Sequence, residues 1–157
     1  MESTLSKTAL DYIRGFETLS ADDFRSLHTS TFEHVFAPAS LNMPPTLDGA
    51  SFANHIAGLR GIMHSFPVIP KETIVNEKGR QVVVWATSIA KFIDDVKDDS
   101  FSEDEWAYRG EYIFMFTMIE AGDKIDRVVE FLDSKSTDTL RLLMETAKKN
   151  KARKEEA

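Results

Sequence analysis

No cysteine occurs in the 157 residues, so disulfides, thiolate metal sites and a cysteine nucleophile are all excluded. Basic charge is in deficit: 19 lysines and arginines stand against 26 aspartates and glutamates, a net charge of −7. A surface of that sign does not attract nucleic acid or an anionic membrane, both of which need a positive field. No apolar run approaches the length of a membrane span. The opening MESTLSKTALDYIRGF lacks the basic start and unbroken apolar core of a secretory signal, so a soluble, cytoplasmic protein is the expectation. Nucleotide and cofactor signals are missing too, with no G-x-G-x-x-G, no P-loop and no G-x-S-x-G nucleophile elbow. The histidines at 28, 34, 55 and 64 include no i, i+4 pair and no His-x-His, so they form no metal set. Any chemistry falls to side chains alone, without cofactor or metal.

What is present is core material. At 42% hydrophobic and 10% aromatic, the chain fits one domain over residues 1–157, with a core from about 5 to 137 and a C-terminal helix and frayed tail at 138–157. Leu5, Ala9, Tyr12, Ile13 and Phe16 recur at helical spacing, predicting a first helix that ends near Leu19. Ser20 with Asp23 predicts a capping box and a short second helix that buries Phe24 and Leu27 and ends at His28. TFEHVFAPAS reads as a short strand stopped at Pro38, and Pro44 and Pro45 mark a loop. Phe52, Ile56, Leu59 and Met63 predict a third helix from Asp48 to His64, terminated by Pro67. The rest is strand-rich until the C-terminal helix, with DDVKDDSFSEDE read as a solvated connection because its carboxylates lack calcium-loop spacing. The tail KKNKARKEE mixes signs and reads as a solvated helix end. The order predicts an α+β architecture: a strongly curved antiparallel sheet wrapped around the N-terminal helices, enclosing a conical cavity.

The segment EYIFMFTMIEAGDKIDRVVEFLDS, residues 111–134, reads as a hairpin, yet it keeps Glu130 among apolar residues. A carboxylate there is costly unless paired, neutralised or used. Alternation puts Trp106, Tyr108, Gly110, Tyr112, Phe114, Phe116 and Met118 on one aromatic face and Glu105, Arg109, Glu111, Ile113 and Met115 on the other. A three-residue EAG loop with Gly122 in the left-handed conformation sets Tyr112 opposite Glu130, Phe114 opposite Val128 and Arg109 opposite Asp133. Glu130 then enters the aromatic concavity, where desolvation favours its protonated form and makes it a candidate proton carrier. A two-residue loop would place it opposite Ile113 on the mixed face instead. Even inside, a carboxylate bonded to a tyrosine hydroxyl as a purely structural pair is an alternative. His34, on the short strand, could relay or donate a proton or simply be a satisfied core residue. His28 could cap a helix, His55 edges the third helix's buried stripe beside Asn54, and His64 faces solvent.

HVFAPASLNMPP, FPVIPKE, VVVWATS and above all EYIFMF...EAGDKIDRVVEFLDS resemble the fungal SnoaL-like proteins of the nuclear transport factor 2-like superfamily, over about residues 5–137. The resemblance implies a cone-shaped α+β barrel, a homodimer through the convex sheet face, and a cofactor-free pocket for a polycyclic secondary-metabolite intermediate. It implies a small isomerase or cyclase working by acid–base catalysis, with a dehydratase or a non-catalytic binding module as alternatives. On this resemblance Glu130, Tyr112, Tyr108 and His34 are the catalytic candidates. His28, His55, Trp106, Phe114, Phe52 and Asn54 are the substrate-contact candidates. His28 stands where many relatives carry arginine, and Phe32 where they carry cysteine, which puts the charge-stabilising role at that position in doubt.

Overall fold

The computed structural model describes residues 2–44 and 46–157; Pro45 of the expected Pro44–Pro45 loop lies outside them. Helix α1 (Thr4–Thr18) is capped by Ser3, whose hydroxyl accepts from the Ser6 N–H at 3.0 Å, and it buries the predicted stripe from Leu5 to Phe16. Helix α2 (Ala21–Arg25) is capped by Ser20 and buries Phe24. It stops before His28, which instead opens strand β1 (His28–Ala37), longer than predicted at its N-terminal end. The β-branched Thr29 and Thr31 favour extended backbone, and their hydroxyls have a partner in the sheet.

Strand β2 (Thr46–Asp48) leads into helix α3 (Gly49–Arg60), where the Asp48 carboxylate caps the Ser51 N–H at 2.8 Å. The expected extension of this helix to His64 does not occur. Met63 belongs to strand β3 (Met63–Ser65), which pairs with β6 (Lys91–Phe92). Strands β4 (Val68–Asn76) and β5 (Gln81–Ile89) form the first long hairpin. The carboxylate-rich connection contains a helical turn at Asp94–Val96 and helix α4 (Glu103–Trp106), closed by a reciprocal Ser102–Glu105 capping box. Trp106 therefore ends a helix, and strand β7 (Arg109–Met118) starts three residues later than the aromatic alternation suggested. Strand β8 (Ile125–Leu132) and helix α5 (Ser134–Glu156) complete the chain.

The described residues form a six-stranded sheet in the order β2-β1-β8-β7-β5-β4, antiparallel except for the parallel β1–β8 pair. This is an α+β arrangement with N-terminal helices and a C-terminal helix on a mixed sheet. Along β7 burial alternates strictly, with Gly110, Tyr112, Phe114, Phe116 and Met118 inward. Tyr12, Phe24, Phe52, Phe114 and Phe116 pack inside, with Tyr12 and Phe24 edge to face at 4.9 Å. Helix α5 stays helical to Glu156, where a frayed tail was expected. Its buried Asn150 donates to the Val96 carbonyl and the Asp98 carboxylate, each at 2.9 Å, which docks the helix on the Asp94–Val96 turn.

The β7–β8 register differs from the expected one by two residues. Ile119 N–H bonds to the Lys124 carbonyl at 3.1 Å, closing a four-residue loop with Gly122 at φ 78°. A bulge at Asp126 follows, between Met118↔Ile125 and Thr117↔Arg127. Loop and bulge each shift the pairing by one, so Tyr112 faces Leu132 and Phe114 faces Glu130; from Arg127 onward each side chain keeps its predicted face, whereas Ile125, before the bulge, turns inward opposite Met118. The expected Arg109–Asp133 pair is not made; Arg109 lies 3.8 Å from Asp104. The bulged Asp126 accepts from Thr29 and Thr31 at 2.6 and 2.5 Å, which holds its carboxyl below the usual range.

Candidate active site

Between the concave sheet face, α1, α3 and α5 lies a cavity of about 130 Å³. Apolar walls come from Phe16, Phe36, Leu59, Phe66, Leu132 and Met144. Its polar groups are few: His55, Tyr112, Glu130, Thr137 and Arg141. The volume is close to that of an apolar protein cavity that holds one benzene ring, about 150 Å³.

Glu130 sits in this wall at 7% exposure, and its Oε1 is 2.9 Å from His34 Nε2. The other nitrogen, Nδ1, is 2.8 Å from the Tyr12 hydroxyl. His34 and Tyr12 are both fully enclosed, at 0% exposure. The parallel pairing of β1 with β8 brings His34 to the strand that carries Glu130, and α1 supplies Tyr12 from across the core. The hydrogen-bond inventory then orients the whole chain. A carboxylate only accepts, so Nε2 carries the proton and donates to Glu130. Nδ1 is left as an acceptor, and the Tyr12 O–H donates to it. Among the described residues His34 is the only hydrogen-bond partner of the Tyr12 hydroxyl. An imidazolium, or the opposite tautomer, would point an N–H at Tyr12 and leave its hydroxyl hydrogen buried without an acceptor. Burial, reinforced by the Glu130 charge, raises the Tyr12 hydroxyl well above its ordinary value, so it remains a neutral donor. His34 is further fixed by stacking on Phe52, with centroids 4.6 Å apart and planes 18° apart. Glu130 thus accepts His34 on Oε1, while its other oxygen makes no hydrogen bond to the described residues.

Tyr112, paired with Leu132, also lines the cavity, and its hydroxyl is bonded to Ser88 Oγ at 2.8 Å. Burial raises it well above the usual tyrosine value, so it acts as a neutral donor or acceptor. The Tyr108 hydroxyl lies next to it and within reach of Thr137, and burial raises it above the usual tyrosine value. Both hydroxyls, and that of Ser88, converge on the space where residue 110 would carry a Cβ, so glycine is required there for the close approach. His55 lines the cavity edge-on to Phe36 at 5.5 Å, and burial lowers it so that it is neutral near pH 7.

The structure therefore brings Glu130, Tyr112 and His55 to the cavity wall, with His34 directly behind Glu130. Phe52 and Phe114 are core residues beneath the site, in contact with His34 and Tyr112 respectively. Asn54 is exposed on the outer side of α3. Trp106 packs with Phe92 and Phe101, and its indole donates to the Asp98 carbonyl, away from the cavity. His28 stacks on Phe32 at 3.4 Å, and both of its ring nitrogens are buried without partners. Burial first, then His34 and Arg25, lower it to about 4, so it supplies no positive charge at neutral pH. The cation of the cavity is Arg141, on α5. Tyr12, Thr137 and Arg141 were not singled out from the sequence. Tyr12 sits in an apolar helical stripe, where its hydroxyl, which needs a buried partner, is the one overlooked signal.

No family model matches the chain. It is 27% identical over 134 residues to Austinoid biosynthesis clusters protein H of Penicillium brasilianum, covering 83% of this chain and 84% of that protein. Among solved structures it superposes on BvnE pinacolase from Penicillium brevicompactum with a TM-score of 0.78 at 22% identity, covering 92% of this chain and 96% of that one. It superposes on AusH from Aspergillus nidulans with a TM-score of 0.72 at 20% identity, covering 85% and 86%. The chain has the nuclear transport factor 2-like, ketosteroid isomerase-like fold, and it resembles the fungal SnoaL-like proteins of secondary-metabolite clusters.

Proposed function

We propose that the chain is a cofactor-independent isomerase or cyclase that acts by general acid–base catalysis on a polycyclic fungal secondary-metabolite intermediate. The observation that carries this reading is the Tyr12–His34–Glu130 chain, which presents one carboxylate to an apolar cavity and holds it by its Oε1 alone. Such a Glu130 takes a proton from a bound substrate on its free oxygen and returns it at another position. His34 keeps its Nε2–H throughout and orients the base, and Tyr112 donates to or accepts from a substrate oxygen. Positioned proton transfer of this kind contributes about 10²- to 10⁴-fold. Seating the reacting ring in one conformation supplies more. The pinacolase and austinoid-cluster relatives support a biosynthetic rearrangement over ligand storage. The cavity seats one ring, so the rest of a polycycle would lie outside it.

The active form in this reading is a cytoplasmic homodimer joined through the outer sheet face. There Trp85, Ile113 and Phe131 form a row across β5, β7 and β8, 37%, 37% and 47% exposed, with Ile74 and Met115 in the next row. A patch of that kind on a small protein is an association surface. No helix of the described residues is long and apolar enough to cross a membrane.

The test is to incubate wild type and Glu130→Gln with candidate pathway intermediates and follow products by chromatography. Loss of conversion by about 10²-fold or more in a folded Glu130→Gln is expected. Equal conversion by both proteins would remove Glu130 from the mechanism, and binding without conversion by either would favour a non-catalytic module.

A further inference from the structure

Glu130 brings a negative charge to the cavity that no side chain balances. Among the described residues its only ion-pair contact is His34, 2.9 Å from Oε1, and the hydrogen bond from Tyr12 makes that imidazole a neutral one. Arg141 lines the same cavity, but its guanidinium is engaged by the Leu41 carbonyl and, at 3.4 Å, by Asp138, with 41% of the side chain in solvent. Burial keeps His55 neutral near pH 7, so it offers the cavity a donor and an acceptor but no charge. The hydroxyls have neighbours of their own: Tyr112 bonds to Ser88 at 2.8 Å, and Thr137 lies within reach of Tyr108. What the cavity lacks is a positive charge with a hydrogen to give to the second oxygen of Glu130. A carboxylate enclosed by apolar walls is costly without such a partner. The walls themselves are largely aromatic, with Phe16, Phe36, Phe66 and Tyr112 among them, and aromatic rings attract a cation where aliphatic ones do not.

We propose that the cavity takes the protonated amine of a basic nitrogen heterocycle, with the ammonium N–H on the free oxygen of Glu130 and the ring among the phenylalanines. The proposal rests on the reading of this cavity as the substrate site and names the substrate class: an alkaloid-type amine rather than a neutral terpenoid or polyketide. An ammonium donates and cannot accept, which matches a group that can only accept. An anion would be repelled by Glu130, and a neutral ring would leave its charge as unbalanced as before. The ion pair also loads the base. When the N–H bond breaks, its electron pair stays on nitrogen as the amine lone pair and the proton goes to Glu130, so the cavity's total charge is unchanged. Glu130 then holds the proton that an acid–base rearrangement returns at another position.

The probe is N-methylpiperidine, a single ring that is protonated at neutral pH. It is titrated into ¹⁵N-labelled wild type, Glu130→Gln and Arg141→Gln, with 1-methylcyclohexanol as the neutral control of the same shape. Amide shifts locate the ring: Tyr112, Glu130 and Leu132 report the cavity, and residues 94–105 report non-specific attraction to acidic surface on a chain of net charge −7. Wild type should hold the amine in the cavity about tenfold tighter than the alcohol or better, the worth of one charge-assisted hydrogen bond. Glutamine keeps an acceptor for His34 but can turn its NH₂ toward the cavity, so Glu130→Gln should erase that preference and leave the alcohol within about twofold. Arg141→Gln removes a like charge and should tighten the amine. Binding of the alcohol as tightly as the amine, an amine affinity unchanged within about twofold in folded Glu130→Gln, weakening of the amine by Arg141→Gln, or shifts confined to residues 94–105 each overturn the ammonium site. Amine binding that depends on Glu130, together with equal conversion of a pathway intermediate by wild type and Glu130→Gln, leaves the site standing and removes Glu130 as the base. Loss of conversion in Glu130→Gln with no preference for the amine does the reverse.

Discussion

Replacing Tyr12 with phenylalanine deletes one oxygen and leaves the ring in its packing against Phe24 and Phe52, yet it strips His34 Nδ1 of its only partner. Leaving a fully buried acceptor unpaired costs about 1–3 kcal/mol. For a chain of this length each kcal/mol lowers the melting temperature by about 2–4 °C. The same reasoning fixes the outcome in a second background. In His34→Leu the Tyr12 hydroxyl is itself the orphan, so adding Tyr12→Phe there should be neutral or stabilising. Urea unfolding of the four proteins measures the coupling directly. A ¹⁵N spectrum of labelled histidine should place the His34 proton on Nε2 in wild type. Because Tyr12 touches no substrate, Tyr12→Phe should retain more activity than Glu130→Gln. An equal cost of Tyr12→Phe in both backgrounds, or a His34 proton on Nδ1, would refute the orientation derived for this chain.

Three further outcomes follow from the same structure. His28 titrates at about 4 in the folded chain and near 6.5 when unfolded, so the unfolded state takes up the proton first as pH falls. Its contribution is fully present above pH 6.5 and is lost on the way down to about 4, with His55 acting in the same sense; His28→Leu should flatten this part of a denaturation-versus-pH curve. Gly110→Ala places a methyl group among the hydroxyls of Tyr108, Tyr112 and Ser88, and should lower both thermal stability and turnover, with Tyr112→Phe in the same background restoring part of the stability. Ile113→Lys with Phe131→Glu should give a monomer by analytical ultracentrifugation, whereas an unchanged sedimentation coefficient would place the dimer contact elsewhere.

The inward face of β7 was legible in EYIFMF, because strand alternation is a property of the backbone, and Glu130 kept its expected side because the two one-residue shifts together restore the face. The register was not legible. A four-residue loop and a bulge at Asp126 each move the pairing by one, and the bulge is stabilised by Thr29 and Thr31 from a strand almost a hundred residues away. His28 was misplaced for a related reason: nothing local distinguishes a helix end from the first residue of a strand, and His28 itself pairs with Ile125 of β8, far away in the chain.

By itself, then, the amino-acid sequence determined the layer architecture, the aromatic concavity and the presence of a carboxylate on an otherwise apolar strand, which follow from local periodicity, while the side it faces hung on the loop. Only the tertiary structure decided what that carboxylate touches. Parallel pairing of β1 with β8 set His34 against Glu130, and packing of α1 set Tyr12 behind His34. The docking of α5 closed the cavity with Thr137 and Arg141. Hydrogen bonds between elements far apart in the chain carry no periodic signature, so they become visible only when the fold brings donor and acceptor within 3 Å.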